Sequence, residues 1–253
     1  LDSVITVCDV TVRSGTLVVC DPGYLFEWEQ NPERTKAAAV EAANGGGGAF
    51  HREYVSGVAI PVPRDRSFLV QLRLEPDERT PSAIELVLSS LETASEDEIG
   101  PVSVDCARVI FADAEGLTSW KHEEPLDGLA DVAFWGRHKD RARQAFGGDD
   151  LPDGTFGWSD LPVTVAVARL KDLQSWVSAE LDGRGVVADL RPHSDHYRLL
   201  ESGKASPWGA GQLTVGGELM CGVLLESGDG QYPVTVSRSA DNVPTRLQVH
   251  VRR

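Results

Sequence analysis

Met220-Cys221-Gly222-Val223-Leu224-Leu225-Glu226-Ser227-Gly228-Asp229-Gly230-Gln231-Tyr232-Pro233-Val234-Thr235-Val236 decides the fold class of this 253-residue chain. An apolar run enters, Ser-Gly-Asp-Gly breaks it, and an alternating run leaves. Glycine reaches backbone angles that a Cβ forbids, and Ser and Asp bond their own backbone. The four residues therefore read as a turn between two strands.

The same pattern spreads outward. Residues 232–238 and 244–252, with 212–225, read as a closing meander. Residues 4–12 and 16–20 read as a hairpin of β-branched strands around Ser14-Gly15. Residues 54–62 and 67–74 read as strands, and Phe68, Val70, Leu72 and Leu74 alternate with polar partners on the two-residue period of a half-buried strand. Val102–Phe111, Pro162–Leu170 and Gly185–Leu190 add three more. Ala83–Leu91 fits a strand or a short helix. Thr93–Glu98 is acidic loop. Helical spacing is confined to Glu33–Ala43, after Pro32, to His138–Gln144 and to Lys171–Leu181. Many short strands, glycine and aspartate turns and few helices predict a mainly β, β-rich α+β fold. Its form is an antiparallel sandwich or layered sheets with a few short helices. No linker forces a boundary, so residues 1–253 read as one domain. Pro-Val-Thr-Val recurs at 162–165 and 233–236, which allows two similar sheet units of about 1–125 and 126–253.

The formal net charge is −15 and hydrophobic residues make up 41%, enough for a core. Such acidity opposes nucleic-acid backbones and anionic membranes and suits a basic protein partner. No apolar run reaches the ~20 residues of a membrane helix. No basic region followed by an apolar stretch opens the chain, so no signal peptide is visible. Four cysteines without a CxxC indicate neither a disulfide scaffold nor a zinc ribbon. A three-residue loop at Arg13-Ser14-Gly15 sets Cys8 opposite Cys20. A two-residue loop puts them on opposite faces and pairs Val10 with Val19. The better apolar match of the second favours free, buried thiols and a reducing cytoplasm.

Chemistry is sparsely signalled. His193 and His196, three apart, would face one metal if helical, with Cys221 or Asp189 as a third ligand. His196 is also a candidate general base. Gly147–Gly154 with Asp160 has the oxygen content of a calcium loop but carries Leu151 where an oxygen is wanted, so ordinary turns explain it better. Ser227, Gly228, Gly230 and Tyr232 form a candidate binding turn, with backbone N–H groups able to make an anion nest. A Walker loop is excluded, because Pro233 opens a strand where a lysine and a helix are required. Trp158 and Trp208 lie among glycines and are candidate binding residues. No cofactor is expected.

Two segments, Ser14-Gly15-Thr16-Leu17-Val18-Val19-Cys20-Asp21-Pro22 and Ser227-Gly228-Asp229-Gly230-Gln231-Tyr232-Pro233-Val234, resemble the opening and closing motifs of the bacterial family called domain of unknown function 4241. Between them Ala107-Arg108-Val109, Trp120 and a Gly/Asp-rich loop follow in similar order. The closing motif here is shorter than the family's Ser-Gly-x-Gly-Asp-Gly. The resemblance implies fold order and a bacterial cytoplasmic setting, and it carries no catalytic residues.

Two functions are open at this point. One is a non-enzymatic binding protein, such as an immunity or antitoxin protein acting on a basic partner. The other is a small-molecule hydrolase or metal-assisted enzyme whose cleft gathers Asp21, Asp229, His196 and Asp153.

Overall fold

The computed structural model describes residues 3–52, 55–75 and 80–251. Positions 54 and 252, at the ends of two expected strands, lie outside them. The chain divides into two compact units, one formed by Leu1–His122 with Arg198–Arg253, the other by Glu123–Tyr197. The second is thus inserted into the first.

The first unit begins with β1 (Ser3–Val12), β2 (Thr16–Cys20), α1 (Leu25–Gln30) and α2 (Pro32–Asn44). It continues through β3 (Gly48–Arg52), β4 (Val55–Pro61), β5 (Arg66–Leu74), β6 (Ala83–Val87), β7 (Ser95–Val104) and β8 (Arg108–Asp113). The inserted unit holds β9 (Leu129–Trp135), α3 (Lys139–Phe146), β10 (Asp149–Asp150), β11 (Phe156–Pro162), α4 (Val163–Leu181) and β12 (Val187–Pro192). The helix α5 (Asp195–Lys204) crosses the division. The chain closes with β13 (Gly211–Val215), β14 (Glu218–Leu224), β15 (Gly230–Arg238) and β16 (Pro244–His250).

The strands form three antiparallel sheets, which bears out the β-rich α+β class. The orders are β1-β5-β6-β16-β15-β7, β13-β14-β8-β2-β4-β3 and β10-β11-β9-β12. In the first unit the two six-stranded sheets pack face to face. Phe68, Val70, Leu72, Ile84, Val234 and Leu247 from one meet Leu17, Val19, Ile60, Phe111 and Val223 from the other. The far face of the second sheet is covered too: Val18, Cys20, Ile110 and Ala112 pack beneath Leu25 and Trp28 of α1 and Ala39 of α2. All five residues of β2 are therefore buried, which is why Thr-Leu-Val-Val-Cys reads as a continuous apolar run instead of an alternating one. In the inserted unit one sheet face packs on α4, through Val132, Ala166, Leu173 and Phe134. No helix among the described residues is long and apolar enough to cross a membrane.

Several expectations need correction. The segments 4–12 and 16–20 are strands but not a hairpin: β1 pairs with β5, and β2 with β4 and β8. Ser14-Gly15 is a corner between sheets. The buried carboxylate of Asp113 fixes it by accepting the N–H groups of Arg13 and Ser14 (2.7 Å to Ser14). Gly15 has φ +86, and a Cβ there would meet Arg64 Cγ at 2.9 Å. With β1 in the opposite sheet, Cys8 faces β14 and is joined to Cys221 in a disulfide, with Cα atoms 6.2 Å apart. Cys8 and Cys221 are therefore not free thiols; Cys20 and Cys106 are.

Of Pro162–Leu170, read as a strand, only Pro162 ends one (β11); Val163–Leu170 is helical. Val163, Val165 and Val167 suit either period in isolation. The helix continues for 19 residues and buries Ala166, Leu173 and Val177 along one stripe. The two Pro-Val-Thr-Val copies thus lie in unlike settings, one entering α4 and one inside β15, so the recurrence has no structural counterpart. Thr93–Glu98, read as loop, enters a strand at Ser95. Val102–Phe111 is broken at 105–107, where Ala107 takes a left-handed φ of 52°. The closing meander is split, because β13 and β14 belong to one sheet and β15 and β16 to the other.

His122 sits at the end of the first segment, against Trp120 and Phe26. The Trp120 indole N–H donates to its Nδ1 at 3.3 Å, and the Phe26 ring meets it edge-on at 6.0 Å. Its own backbone N–H donates to Glu29 at 3.1 Å. Burial pushes its pKa down from 6.5 to about 4. The folded state then binds fewer protons than the unfolded one between these values, so stability from this group is full above 6.5 and is lost as pH falls toward 4. Discounted for partial exposure, the effect is about 1–2 kcal/mol. Urea unfolding at about pH 7 and pH 4.5 should show this loss on top of the general acid response, and His122→Gln should remove that part. Identical pH responses of the two proteins would refute it.

Candidate functional site

The sheet of the inserted unit carries one polar cluster built by strand register. Asp131 is the single charge in β9, and it lies opposite Arg191 of β12. On its other side the β11 register shifts between Trp158 and Leu161, so Ser159 and Asp160 bulge opposite it. A bulge re-aims side chains at a strand edge. Here Asp160 takes φ 54°, and its N–H donates to Asp131 Oδ1 at 2.9 Å. His193 follows β12 directly and continues its pairing, with its N–H bonded to the Leu129 carbonyl at 3.1 Å.

The imidazole is held at both nitrogens. Nδ1 lies 3.1 Å from Asp127 Oδ2 and Nε2 lies 3.1 Å from Asp131 Oδ1. Burial would lower its pKa, but hydrogen bonds and charge from Asp131 and Asp127 outweigh that and raise it. The Tyr197 ring stacks on it, with centroids 5.8 Å apart and planes 13° from parallel. The Tyr197 hydroxyl donates to Asp131 Oδ2 at 2.7 Å. Carboxylate oxygens of Asp131 and Asp160 and a ring nitrogen of His193 all lie within 4.8 Å of one another.

Beside this cluster Arg191 binds Asp153 at 2.8 Å and Asp189 at 3.4 Å. Burial would raise the Asp153 pKa; donors from Thr155 and Arg191 reverse this and hold it far below the usual carboxylate range.

The other candidates take different places. His193 precedes α5 and His196 lies within it, so the two do not share a helical face. Cys221 is in the disulfide and Asp189 bonds Arg191, which leaves neither as the third ligand expected beside them. Asp131 and Asp160 are the carboxylates that lie beside His193. The Gly147–Asp160 oxygens diverge: Asp150 pairs with Arg143 at 3.0 Å, Asp153 with Arg191, and Asp160 joins Asp131.

Asp21 and Asp229 meet at the turn formed by residues 105–107. Asp21, fully buried, accepts from the N–H groups of Asp105 (2.7 Å), Cys106 (3.0 Å) and Gly23 (2.5 Å) and from the Cys106 thiol (2.7 Å). Asp229 accepts from the Ala107 N–H at 3.1 Å. Burial and the adjacent Asp21 push the Cys106 thiol well up, and burial does the same for Cys20. His196 belongs to the inserted unit and Asp21 and Asp229 to the other.

The Ser227–Tyr232 turn closes on itself. The Tyr232 hydroxyl donates to the Gly228 carbonyl (2.5 Å) and lies 2.9 Å from the Ser227 hydroxyl, while Gly228 and Gly230 both have positive φ. Trp208 and Ser227 line an apolar pocket with Leu72, Ile84, Val223 and Leu225. Its enclosed space is only ≈ 20 Å³, about one water. Trp158 packs inside the other unit, 5.5 Å from the Phe134 ring, with the Arg169 guanidinium 4.8 Å over its face.

Sequence reasoning found His193, placed Asp160 in a different, calcium-type loop, and missed Asp127, Asp131 and Tyr197. One signal was available: Asp131 interrupts the otherwise apolar Leu-Ala-Asp-Val-Ala-Phe-Trp.

The chain matches no family model, and no curated protein or solved structure is significantly similar to it.

Proposed function

We propose that this chain is a non-enzymatic binding protein whose partner is basic. The observation that carries this reading is the first half of β7. Ser95, Glu96, Asp97 and Glu98 are all exposed, and β7 is the end strand of its sheet, paired with β15. An edge strand offers unpaired backbone donors and acceptors to an incoming strand. Three consecutive carboxylates make that edge hostile to acidic or neutral segments and complementary to lysine and arginine. The net charge of −15 extends the attraction over the surface and speeds encounter. The rival hydrolase reading is weakened by Asp21 and Asp229, whose oxygens serve backbone N–H groups of one turn.

Membership of the domain of unknown function 4241 family is consistent with the placement of its motifs, and an immunity or antitoxin role against a basic effector is one form of the proposal. The reducing cytoplasm expected from sparse cysteines does not suit an intact Cys8–Cys221 bond; an oxidising compartment does.

The test uses two labelled probes, an alternating Lys-Val peptide and its Glu-Val counterpart. The cationic peptide should bind, and more weakly as salt rises from about 0.05 to 0.5 M. Combined Glu96→Lys, Asp97→Lys and Glu98→Lys substitution should weaken it at least about tenfold. Undiminished binding by that variant, or equal binding of both peptides, would overturn the proposal.

A further inference from the structure

We propose that Asp131, Asp160 and His193 form a binding site for one divalent first-row transition ion of the zinc type. The inference is independent of the basic-partner reading, which concerns β7 in the other unit.

Donor chemistry selects the ion. One imidazole and two carboxylates suit a borderline cation such as Zn²⁺, whereas Ca²⁺ and Mg²⁺ favour all-oxygen sets. Ligand atoms about 2.1 Å from a metal lie about 3.0–3.5 Å apart in tetrahedral or octahedral arrangement. The His193 Nε2 to Asp131 Oδ1 distance of 3.1 Å already fits. Asp160, exposed at the bulge and within 4.8 Å, needs only a side-chain rotation.

The surroundings point the same way, through residues that are not among the three ligands. Metal-binding histidines commonly donate the second ring N–H to a carboxylate, which fixes the tautomer and orients the ring. Asp127 accepts at Nδ1 and leaves Nε2 as the ligand atom. Asp127 is itself oriented, because its Oδ1 accepts the Leu129 N–H at 3.0 Å. The Tyr197 hydroxyl occupies Asp131 Oδ2 and leaves Oδ1 facing the imidazole. The stacked Tyr197 ring prevents His193 from swinging out. Binding the ion takes the place of the Nε2–Asp131 contact and offsets the charge of the clustered carboxylates. Three protein ligands leave at least one position for water.

The probes are Zn²⁺ alone, followed by calorimetry, and Co²⁺ alone, whose visible absorption reports coordination geometry. The full-length chain, stripped with chelator, should take up one Zn²⁺ and show a Co²⁺ spectrum with nitrogen and oxygen ligation. Asp131→Asn and His193→Gln should each abolish the site. Asp160→Asn should weaken it at least about tenfold, and Asp127→Asn by about 10–100-fold, as for an orienting carboxylate. Asp160 is exposed, so its variant tests the site even where a more buried change perturbs folding; circular dichroism checks each fold. No Zn²⁺ uptake by the folded wild-type chain would overturn the proposal. Uptake equal in the wild type, Asp160→Asn and Asp131→Asn would do the same, since it would mark scattered surface carboxylates.

Discussion

Replacing Cys8 and Cys221 together by serine should cost this protein about 3–5 kcal/mol of stability and lower its Tm by roughly 10 °C. The bond joins β1 at the rim of one sheet to β14 in the other, across 213 residues of chain. Chain-entropy arguments give about 5 kcal/mol for a loop that long, with strain and residual unfolded structure reducing it. The location adds to the effect. β1 pairs with β5 alone and otherwise rests on β14 and β8 of the facing sheet. Losing the bond removes the only disulfide between the two layers among the described residues. Thiol counting on denatured, unreduced protein should find two free thiols, from Cys20 and Cys106. Both have raised pKa values, so alkylation of the native protein should be slow. Four reactive thiols in the denatured protein, with no stability change on adding reductant, would disprove the pairing.

That bond also marks where local reading of a sequence stops. The alternation of Phe68, Val70, Leu72 and Leu74 was legible because the period of a half-buried strand is a local property, and all four are buried. The Ser14-Gly15 turn was legible as a turn, but its direction was not. Whether the chain returns within a sheet or crosses to another is settled by Asp113, about 100 residues away, which captures the N–H groups of Arg13 and Ser14. Once β1 lies in the opposite layer, Cys8 faces Cys221 instead of Cys20. Glu96-Asp97-Glu98 looked like loop because these residues have poor strand propensity, yet β15 supplies a partner that composition does not reveal. The valines of Pro162–Leu170 satisfied a strand period, and the continuation into Lys171–Leu181 decided for helix.

The polar cluster follows the same logic at closer range. His193 was visible as an unusual residue, but His196 was the wrong companion because the helix begins only at Asp195. Its real neighbours arrive through sheet order, with Asp131 from the central strand β9 and Asp160 from a bulge in β11. A bulge is a one-residue slip relative to a distant partner, here Ser159 and Asp160 opposite Asp131. No single-strand pattern encodes it, which is why the residue types were predictable as polar and their meeting point was not.

Asp21→Ala should destabilise the first unit by about 3–5 kcal/mol, measured by urea unfolding. Removing the buried carboxylate leaves the N–H groups of Asp105 and Cys106 without their acceptor, each costing up to about 1–3 kcal/mol, and leaves a void where Asp21 was buried. Asp21→Asn should cost less, about 2 kcal/mol, because the amide keeps one acceptor but turns its NH₂ toward other donors. Asp229→Ala should cost under about 1 kcal/mol, since Asp229 is exposed and contributes one bond to Ala107. A third support, the Tyr24 hydroxyl bonded to Asp105, has its pKa raised to about 12 by that bond. The ranking carries a meaning beyond stability. Cys20-Asp21-Pro22, Ala107-Arg108-Val109 and Ser227-Gly228-Asp229-Gly230 all converge on the turn at 105–107. Carboxylates that grip a backbone turn from both sides explain such motifs as determinants of the fold, with no catalysis required. If Asp21→Ala unfolds within about 1 kcal/mol of the wild type, the buried hydrogen bonds are not holding the turn. The two aspartates would then need a chemical role after all.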